Sequence, residues 1–266
     1  MKVYFVGAGP GDPELLTIKG QRLLREAEVI IYAGSLVNPV LLAWARPGAA
    51  IYDSASLTLE EILDLMEQAV KRGQKVVRLH TGDPSLYGAI QEQMEALDMR
   101  GIPYEIVPGV SSFAAAAAAV GREFTVPGGS QTLILTRRGG RTPVPPAENL
   151  ANLSRYRASL CLFLSAQSFA EAAAELATGY GKDTPAAVVY KASWPEEKVI
   201  YGTLENIAAK AQEEGIQRMA LLLVGDFLRG ASTRSCLYHP EFSHGYRRKK
   251  DAHSHCDSDQ TRPSYG

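Results

Sequence analysis

The sequence predicts an α/β fold with two α/β domains joined by a short linker. In the first half, short apolar runs that suit β-strands alternate with amphipathic segments that suit helices, and this order is typical of a parallel sheet with helices on both faces. Between 121 and 131, glycines and a proline interrupt the pattern. We therefore predict an N-terminal domain at 1–120, a linker at 121–131 and a C-terminal domain at 132–238.

The elements of the first half follow from apolar periodicity. Strands are predicted at 3–6, 29–32, 75–79 and 104–107. Helices are predicted from about 13 to 26, at 58–72, from about 88 to 99, and over the alanine run at 114–119. The helix at 58–72 carries the clearest signals, because Thr58 and Glu61 suit a capping box and Gly73 follows its end.

The second half is less regular. Strands are predicted near 132–136, 160–164, 186–190 and 219–224, and helices near 167–177 and 204–214. Between the first two of these strands lies a basic, glycine-rich loop at 136–143. Beyond about Tyr238 the chain becomes polar, and we predict a disordered tail at 239–266.

Composition and charge limit the classes of function. The 266-residue chain has a formal net charge of −1, which argues against general nucleic-acid binding because that usually needs a basic excess. Its three cysteines, Cys161, Cys236 and Cys256, lack metal-ligand spacing and a disulfide framework, which predicts no metal site and a cytoplasmic location. The N-terminus does not resemble a signal peptide, and no apolar stretch approaches the roughly 20 residues of a membrane span.

The tripeptide Gly-Asp-Pro occurs at 11–13 and at 82–84, each time just after an apolar run. Both copies predict a strand that runs into a tight glycine turn. Turns at the carboxyl ends of parallel strands are where α/β proteins bind small ligands, so the two copies predict two sides of one cleft. In each copy we expect Asp to cap a helix and Pro to occupy its first position.

The glycines before Asp12 match a dinucleotide-binding fingerprint only in part. That fingerprint needs Gly or Ala at its sixth position, where this chain has Asp12. It also needs a carboxylate after the second strand to hold a ribose, but Ala33 and Gly34 follow that strand. A nicotinamide-dependent oxidoreductase is therefore disfavoured but stays an alternative, as does a ligand-binding module without catalysis. A P-loop is not predicted, because no Gly-Lys-Ser/Thr sequence follows.

The segment 6–17, Val-Gly-Ala-Gly-Pro-Gly-Asp-Pro-Glu-Leu-Leu-Thr, is similar to the N-terminal signature of the tetrapyrrole methyltransferases, which use S-adenosylmethionine. The segments 81–84, Thr-Gly-Asp-Pro, and 108–112, Pro-Gly-Val-Ser-Ser, resemble the next two motifs of that family at suitable spacing. The resemblance extends over about 1–238. It implies the tetrapyrrole methylase fold, in which two α/β domains have the cofactor cleft between them, and it suggests a homodimer.

The resemblance also implies which residues bind S-adenosylmethionine. From the first half these are Pro10, Thr81, Gly82, Asp83, Leu86, Ser111 and Ser112. From the second half they are Leu164, Ala192 and Ala220. The two Gly-Asp-Pro turns then differ in role. The second holds the amino-acid end of the cofactor, and the first, through Pro10, borders the methyl-transfer centre.

Within the family, the segments at 32–38, 53–58, 80–88 and 135–137 resemble members that act on corrin precursors. Relatives that act on uroporphyrinogen III typically carry Asp where this chain has Ala33 and Lys at about Ser54. Another tetrapyrrole is therefore favoured. Methylation of a corrin precursor at another position and methylation of uroporphyrinogen III stay alternatives. A tetrapyrrole substrate carries several carboxylates, which Arg137, Arg138 and Arg141 of the basic loop are suited to bind bidentately. A solvated basic loop is the other interpretation.

No Ser/His/Asp or Cys/His catalytic set is evident in the sequence, and the implied chemistry does not require one. Methyl transfer from a sulfonium chiefly needs alignment and exclusion of water, and a reduced tetrapyrrole supplies its own carbon nucleophile. His80, next to the second turn, is a weak candidate for proton transfer, and a structural hydrogen bond is the alternative. The catalytic residues are otherwise left open.

Overall fold

The computed structural model describes residues 1–140 and 142–230, and beyond them 235, 237, 239, 242, 243 and 245–248. In these described residues the strands form two five-stranded sheets. The first sheet consists of β1 (Val3–Gly7), β2 (Val29–Tyr32), β3 (Ala50–Asp53), β4 (Val76–His80) and β5 (Tyr104–Val107). Its order is β3-β2-β4-β1-β5 and all its pairings are parallel, which confirms the parallel sheet predicted for the first half.

Helices cover both faces of this sheet. They are α1 (Ile18–Glu26), α2 (Leu59–Lys71) and α3 (Gln91–Met99). Leu23 and Leu24 of α1 pack on one face, in a core cluster with residues of β2 and β4. Met66 of α2 and Leu97 of α3 pack on the other. The capping box predicted at the start of α2 is present, since Thr58 and Glu61 each bond the other's backbone N–H.

The second sheet is mixed. It consists of β6 (Leu133–Arg137), β7 (Ser159–Phe163), β8 (Pro185–Tyr190), β9 (Lys198–Thr203) and β10 (Ala220–Val224), in the order β6-β7-β10-β8-β9. β6 and β7 are parallel, whereas β10 is antiparallel to both β7 and β8. The short helix α5 (Leu150–Leu153) and helices α6 (Phe169–Tyr180) and α7 (Ile207–Glu213) accompany it. On one face, α6 and α7 form a core with the sheet.

The alanine-rich helix α4 (Ser112–Ala119) follows the first sheet in the chain but packs on the second. Ala115 and Ala116 belong to one buried cluster with Cys161, Val189 and Leu223 of the second sheet. Their small side chains let the helix backbone approach the strands closely. Because α4 packs in this way, one apolar core joins the end of the first half to the second half.

The helix predicted from about 13 to 26 is divided in the structure. Pro13–Leu15 form a single 3-10 turn after Asp12, whose carboxylate accepts a hydrogen bond from the N–H of Glu14 at 2.8 Å. The α-helix starts only after Thr17, whose hydroxyl accepts from the N–H of Gly20 at 3.0 Å. A second N-cap inside the segment explains the break, because a capping residue takes an extended rather than a helical backbone.

The helix predicted from about residue 88 begins at Gln91. Ala89 has a φ of +49°, a left-handed conformation that a right-handed helix cannot include. The second Gly-Asp-Pro tripeptide does not start a helix as expected, because residues 84–87 form a turn in which Tyr87 has a φ of +58°. The carboxylate of Asp83 instead caps a turn by accepting from the N–H of Ser85 at 2.8 Å.

The sequence analysis did not predict β3 and β9. Both are edge strands of their sheets, and they lack the buried apolar run by which the other strands are recognised. In β3 the residues from Ile51 to Asp53 are exposed, and in β9 no residue is fully buried. Pairing with a neighbouring strand, which is a tertiary contact, defines these two segments.

Candidate functional site

Three turns converge at the carboxyl end of the first sheet, and their glycines make the convergence possible. A Cβ on Gly7 would lie 2.6 Å from the backbone of Gly109 and from the carbonyl oxygen of Gly82. A Cβ on Gly109 would overlap that same oxygen. Real Cβ atoms do not approach backbone so closely, so Gly7 and Gly109 cannot be replaced without a shift of the turns.

Backbone hydrogen bonds join the two Gly-Asp-Pro loops. The N–H of Gly82 donates to the carbonyl of Gly9 at 2.8 Å, and the N–H of Gly9 donates to the carbonyl of Gly82 at 3.3 Å. Next to this pair, the N–H of Ala8 donates to the carbonyl of His80 at 2.7 Å. The loops are thus neighbours at one edge of the sheet, as the sequence analysis predicted from the doubled motif.

The carboxylate of Asp83 ties the second loop to the loop that follows β5. One of its oxygens accepts from the N–H of Gly109 at 2.9 Å, and the other accepts from both the N–H and the hydroxyl of Ser85. Partial burial raises the pKa of Asp83, but these hydrogen bonds outweigh burial and leave the pKa below its ordinary value. Asp83 is therefore a carboxylate that shapes the site, and its predicted contact with the cofactor stays a prediction.

The amino end of α4 faces the second loop. Gly82 has a φ of +58°, and a Cβ built on it would lie 3.6 Å from Cα of Ser111 and from N of Ser112. Ser111 precedes the helix and its hydroxyl caps no backbone N–H there. The first N–H groups of a helix lack partners within the helix and favour negative charge. Gly82, Ser111 and Ser112 thus form a cradle, beside Thr81, that suits a carboxylate.

The predicted cofactor residues of the second half lie together at one edge of the second sheet. Leu164 follows the end of β7, Ala192 follows the end of β8, and Ala220 begins the antiparallel β10. Leu164 has a φ of +51° and is 64% exposed, an unusual combination for a large apolar residue. This conformation presents the backbone and side chain of Leu164 to the space beyond the sheet edge.

These two edges face each other. Leu86, from the second loop, packs against the apolar core of the second sheet, and the Tyr87 ring lies 5.3 Å from that of Phe163 at the end of β7. On the other side of the interface, the carbonyl of Pro10 accepts a hydrogen bond from Nε1 of Trp194 at 2.9 Å, two residues after Ala192. The structure therefore brings the predicted cofactor residues of both halves to one cleft.

Two ionisable side chains are buried beneath the second loop. Arg78 and His80 are 5% and 4% exposed. The guanidinium of Arg78 donates to the side-chain oxygen of Gln93 and to the carbonyl of Ile31, both at 3.3 Å, and it has no ion pair among the described residues. Burial lowers the pKa of Arg78 to about 10, a value at which it stays charged at neutral pH.

His80 is held in its neutral form. Burial, and after it the charge of Arg78, lower the pKa of His80 to about 3. In the described part of the chain its Nε2 has no hydrogen-bond partner, and its ring lies 6.0 Å from that of Phe5. The structural hydrogen bond that the sequence analysis offered as an alternative to proton transfer is therefore not present at Nε2.

The three predicted substrate arginines have different surroundings. The guanidinium of Arg137, at the end of β6, donates to the carbonyls of Thr142 and Pro143 at 3.0 and 2.7 Å. The guanidinium of Arg138 points instead to α6, where it forms an ion pair with Glu175 at 2.8 Å. Arg141 lies outside the described residues. Arg137 is next to the cleft, since it pairs with Phe163 in the strand register.

Two segments that contribute to the site were not predicted from the sequence. Trp194 and Ser193 follow β8 and contact the first Gly-Asp-Pro loop, as the bond from Trp194 to Pro10 shows. Asn38, after β2, donates from its side chain to the carbonyl of Gly11 at 2.8 Å. No sequence pattern links residues so far apart. The only signal in the sequence is the tripeptide Ser-Trp-Pro at 193–195, where a polar and an aromatic residue come just after an apolar strand.

No group of three or more His, Cys, Asp or Glu side chains in the described residues is placed to hold a metal ion. None of the helices described is long and apolar enough to cross a membrane. Cys161 is free and fully buried, and burial raises the pKa of its thiol, as expected of a small core residue.

Comparison with known proteins gives a consistent result. Residues 2–208 match the family model of the tetrapyrrole (corrin/porphyrin) methylases. The chain is 52% identical to the cobalt-precorrin-4 C(11)-methyltransferase of Methanocaldococcus jannaschii, over 93% of this chain and 96% of that protein. It is 50% identical to the precorrin-4 C(11)-methyltransferase of Pseudomonas aeruginosa, over 93% of this chain and 99% of that protein.

Solved structures are similar along most of the chain as well. The crystal structure of a cobalt precorrin-4 methyltransferase, a cobalamin biosynthetic enzyme, aligns with a TM-score of 0.83 and 46% identity, over 85% of this chain and 95% of the other. The uroporphyrin-III C-methyltransferase of Thermus thermophilus, complexed with S-adenosyl homocysteine, aligns with a TM-score of 0.72 and 34% identity. The latter match covers 86% of this chain and 99% of the other.

Proposed function

Because the chain belongs to the tetrapyrrole (corrin/porphyrin) methylases, we propose that it methylates C-11 of precorrin-4 or cobalt-precorrin-4 in cobalamin biosynthesis. The observation that carries this proposal is sequence identity of 52% and 50% to two C(11)-methyltransferases, over 93% of the chain in each case. The uroporphyrinogen-III C-methyltransferase of Bacillus subtilis is less similar, at 36% identity over 85% of the chain. One relative acts on the cobalt form and another on the metal-free form, so the proposal covers both.

S-adenosylmethionine is the cofactor of this family, and it supplies an activated methyl group on a sulfonium. The cleft fits it, because the cradle of Gly82, Ser111 and Ser112 suits its carboxylate. Thr81 and Leu86 would complete the wall of the first half. Leu164, Ala192 and Ala220 would contribute the opposite wall.

The chain's own residues mainly align the reactants and exclude water. The converging glycine turns are rigid, because hydrogen bonds join Gly9 to Gly82 and Gly109 to Asp83. Such a frame lowers the barrier of an in-line displacement by fixing distance and direction. His80 is neutral and buried, so it does not act as a cationic acid. The nucleophilic carbon comes from the reduced tetrapyrrole itself.

The substrate side of the cleft differs from that expected of a uroporphyrinogen enzyme. Ala33 and Ser54 follow neighbouring strands, and the hydroxyl of Ser54 donates to the carbonyl of Tyr32 at 3.0 Å. These two positions offer neither a carboxylate nor an ammonium group. Arg137 is the arginine best placed for a substrate carboxylate, since its described partners are two carbonyls rather than an anion. We infer that substrate choice depends on these positions.

We infer a cytoplasmic homodimer with no nucleic-acid partner. The near-neutral net charge and the free, buried Cys161 support this inference. The exposed apolar residues Ile51 and Tyr52 on edge strand β3 support the homodimer. Domain bounds at 1–120 and 132–238 agree with sheets that end at Val107 and begin at Leu133, although α4 packs across that bound.

The test is turnover. Purified protein is incubated with S-adenosylmethionine and either precorrin-4 or cobalt-precorrin-4, and the product is analysed by mass spectrometry and NMR. We expect a mass gain of one methyl group in place of hydrogen, with the new carbon at C-11. Equal treatment of uroporphyrinogen III is the control. Its preferential methylation, or a methyl at another position, would contradict the proposal.

A binding experiment addresses the alternatives from other classes. Calorimetry with S-adenosylhomocysteine and with NADH separates a methyltransferase from a nicotinamide-dependent oxidoreductase, and we expect heat of binding only with the former. A protein that binds S-adenosylhomocysteine but methylates none of these tetrapyrroles would be the non-catalytic binding module.

A further inference from the structure

Trp194 connects the two halves of the molecule at the first Gly-Asp-Pro loop. Its indole Nε1 donates to the carbonyl of Pro10 at 2.9 Å, across a sequence separation of 184 residues. The indole also lies directly against Gly11, where an added Cβ would overlap its Cδ1 and Nε1 atoms. Pro10 and Gly11 are buried and Trp194 is half-buried, so this contact is partly shielded from water.

Consecutive peptide groups of the loop are fixed from two directions. Beside the bond from Trp194 to Pro10, the N–H of Asp12 donates to the hydroxyl of Ser193 at 3.0 Å. The carbonyl of Gly11 accepts from the side chain of Asn38, in the first half, at 2.8 Å. Each of the peptide groups from residue 10 to residue 12 therefore has a specific partner outside the loop.

The segment that carries Trp194 is itself well fixed. Ser193 has a φ of +67°, and its N–H donates to the carboxylate of Glu197 at 2.6 Å. The ammonium of Lys191 lies 5.2 Å from the centre of the Trp194 ring, in a cation–π geometry, and forms an ion pair with Glu196 at 3.0 Å. The backbone N–H of Lys191 also donates to Met219, just before β10, at 2.8 Å.

We propose that Trp194 is a positioning residue for methyl transfer. It acts through its hydrogen bond to Pro10. The inference rests on the proposed function, because Pro10 is the residue implied to border the methyl-transfer centre. Trp194 lies two positions after Ala192, an implied cofactor residue of the second half. The indole thus sets the distance between the two walls of the cleft at the point where cofactor and tetrapyrrole meet.

The primary test is Trp194→Phe, which keeps an aromatic ring but removes the donor. The carbonyl of Pro10 then loses its partner while buried, and such a loss is disruptive. We expect kcat for the tetrapyrrole to fall about tenfold, whereas its KM and the affinity for S-adenosylhomocysteine change less than about threefold. An unchanged kcat in the variant, or a loss confined to thermal stability, would overturn the proposal.

Trp44 provides a matched control, because the chain has only two tryptophans. Trp44 ends a 3-10 turn in the first half and packs, partly buried, against the core beside α1. Trp44→Phe should leave kcat unchanged. It also makes Trp194 the sole tryptophan, so we expect S-adenosylhomocysteine to alter the emission of this variant. If saturating S-adenosylhomocysteine leaves the fluorescence emission unchanged, the placement of Trp194 at the cofactor cleft is contradicted.

A compensating pair of changes tests the contact with Gly11 independently of folding yield. Gly11→Ala places a methyl group where the indole lies, and it should lower kcat at least as much as Trp194→Phe. In a Trp194→Ala background the indole is absent, so the same Gly11→Ala change should have almost no further effect. Additive losses in the double variant would show that the two residues act separately, against the proposal.

The outcomes also separate this inference from the proposed function. If the unaltered protein does not methylate precorrin-4 or cobalt-precorrin-4, the proposed function fails, and the inference fails with it as a statement about catalysis. If the unaltered protein is active and Trp194→Phe is equally active, only the inference fails. The fluorescence of the Trp44→Phe variant reports on cofactor proximity in either case.

Discussion

The two Gly-Asp-Pro tripeptides are identical in sequence, yet they make different contacts. In the first, the carboxylate of Asp12 accepts from the N–H of Glu14 and caps a local 3-10 turn. In the second, the carboxylate of Asp83 reaches the N–H of Gly109, 26 residues away, and holds a neighbouring loop. The first loop is fixed from outside, chiefly through its backbone, whereas the second fixes others through its side chain.

The difference shows that a short motif determines local backbone geometry but not its partners. Both tripeptides give a turn after a parallel strand, and both aspartates bond a backbone N–H two residues later. What lies opposite each turn decides the rest. The first turn meets the segment after β8, and the second meets the loop after β5. Four experiments test this contrast, beginning with the largest expected effect.

Gly109→Ala tests whether the second loop depends on close backbone approach. The new Cβ would overlap the carbonyl oxygen of Gly82 and lie 2.8 Å from Cα of Gly7. We expect a loss of about 3 kcal/mol or more in the free energy of unfolding, because backbone on both sides leaves little room to relax. Urea unfolding measures it. Gly140→Ala is the control, since a Cβ there meets nothing within 4 Å; equal stability of both variants would refute the packing argument.

The same substitution in each tripeptide separates their roles directly. Asp83→Asn would place either an amide group or a weaker acceptor opposite the N–H of Gly109. We expect the free energy of unfolding to fall by about 2 kcal/mol. We also expect S-adenosylhomocysteine to bind about tenfold more weakly. Asp12→Asn should change stability by less than about 0.5 kcal/mol, because Asn caps as well as Asp. Calorimetry and urea unfolding provide both values. Similar losses in the two variants would remove the contrast between the loops.

His80 offers a test through pH, since it immediately precedes the second loop and pairs in register with Gly7 before the first. Between about pH 6.5 and 3 the unfolded chain protonates His80 while the folded chain does not. In this range the unfolded state binds more protons than the folded state. The contribution of His80 to the free energy of unfolding therefore decreases as pH decreases, by up to about 1.4 kcal/mol per pH unit. In His80→Gln we expect a correspondingly shallower decline between about pH 6 and 4. An unchanged slope would mean that His80 is protonated in the folded protein.

Arg137 and Arg138 repeat the contrast, because they are identical neighbours with different partners. Arg137→Ala should raise the dissociation constant of the tetrapyrrole about threefold to tenfold, without effect on S-adenosylhomocysteine. Arg138→Ala breaks the ion pair with Glu175 and should reduce stability by less than about 1 kcal/mol, with a smaller effect on the substrate. Binding titrations decide the matter. If Arg138→Ala weakens substrate binding more than Arg137→Ala does, Arg138 rather than Arg137 binds the substrate.

Much of the fold was predictable because its signals are local. Strands β2 and β5 have the predicted bounds, and α2 carries its capping box. The failures are equally physical. Edge strands β3 and β9 are defined by pairing, Thr17 interrupts a continuous apolar pattern, and the left-handed Ala89 delays α3. The apolar periodicity of the sequence predicts none of these features.

The site was predictable only to the level of loops. The family resemblance implied that Thr81, Gly82, Ser111 and Ser112 share one site, and the structure places Gly82 next to Ser111 and Ser112. The partners of those loops were not predictable. The bond from Asp83 to Gly109 depends on the strand order of the first sheet, and that from Trp194 to Pro10 depends on how the two sheets are oriented. A linear pattern carries no such information. The ion pair of Arg138 is likewise a tertiary contact.

Helix α4 has a consequence for biosynthesis of the chain. It leaves the ribosome with the first sheet, but its buried face, including Ala116, and the nearby Phe124 pack on strands that are translated later. At roughly 5–20 residues per second, that wait is on the order of ten seconds. During this interval an apolar helix face is exposed on a nascent chain. A chaperone that binds such faces would therefore find its target in the alanine-rich segment until β10 is complete.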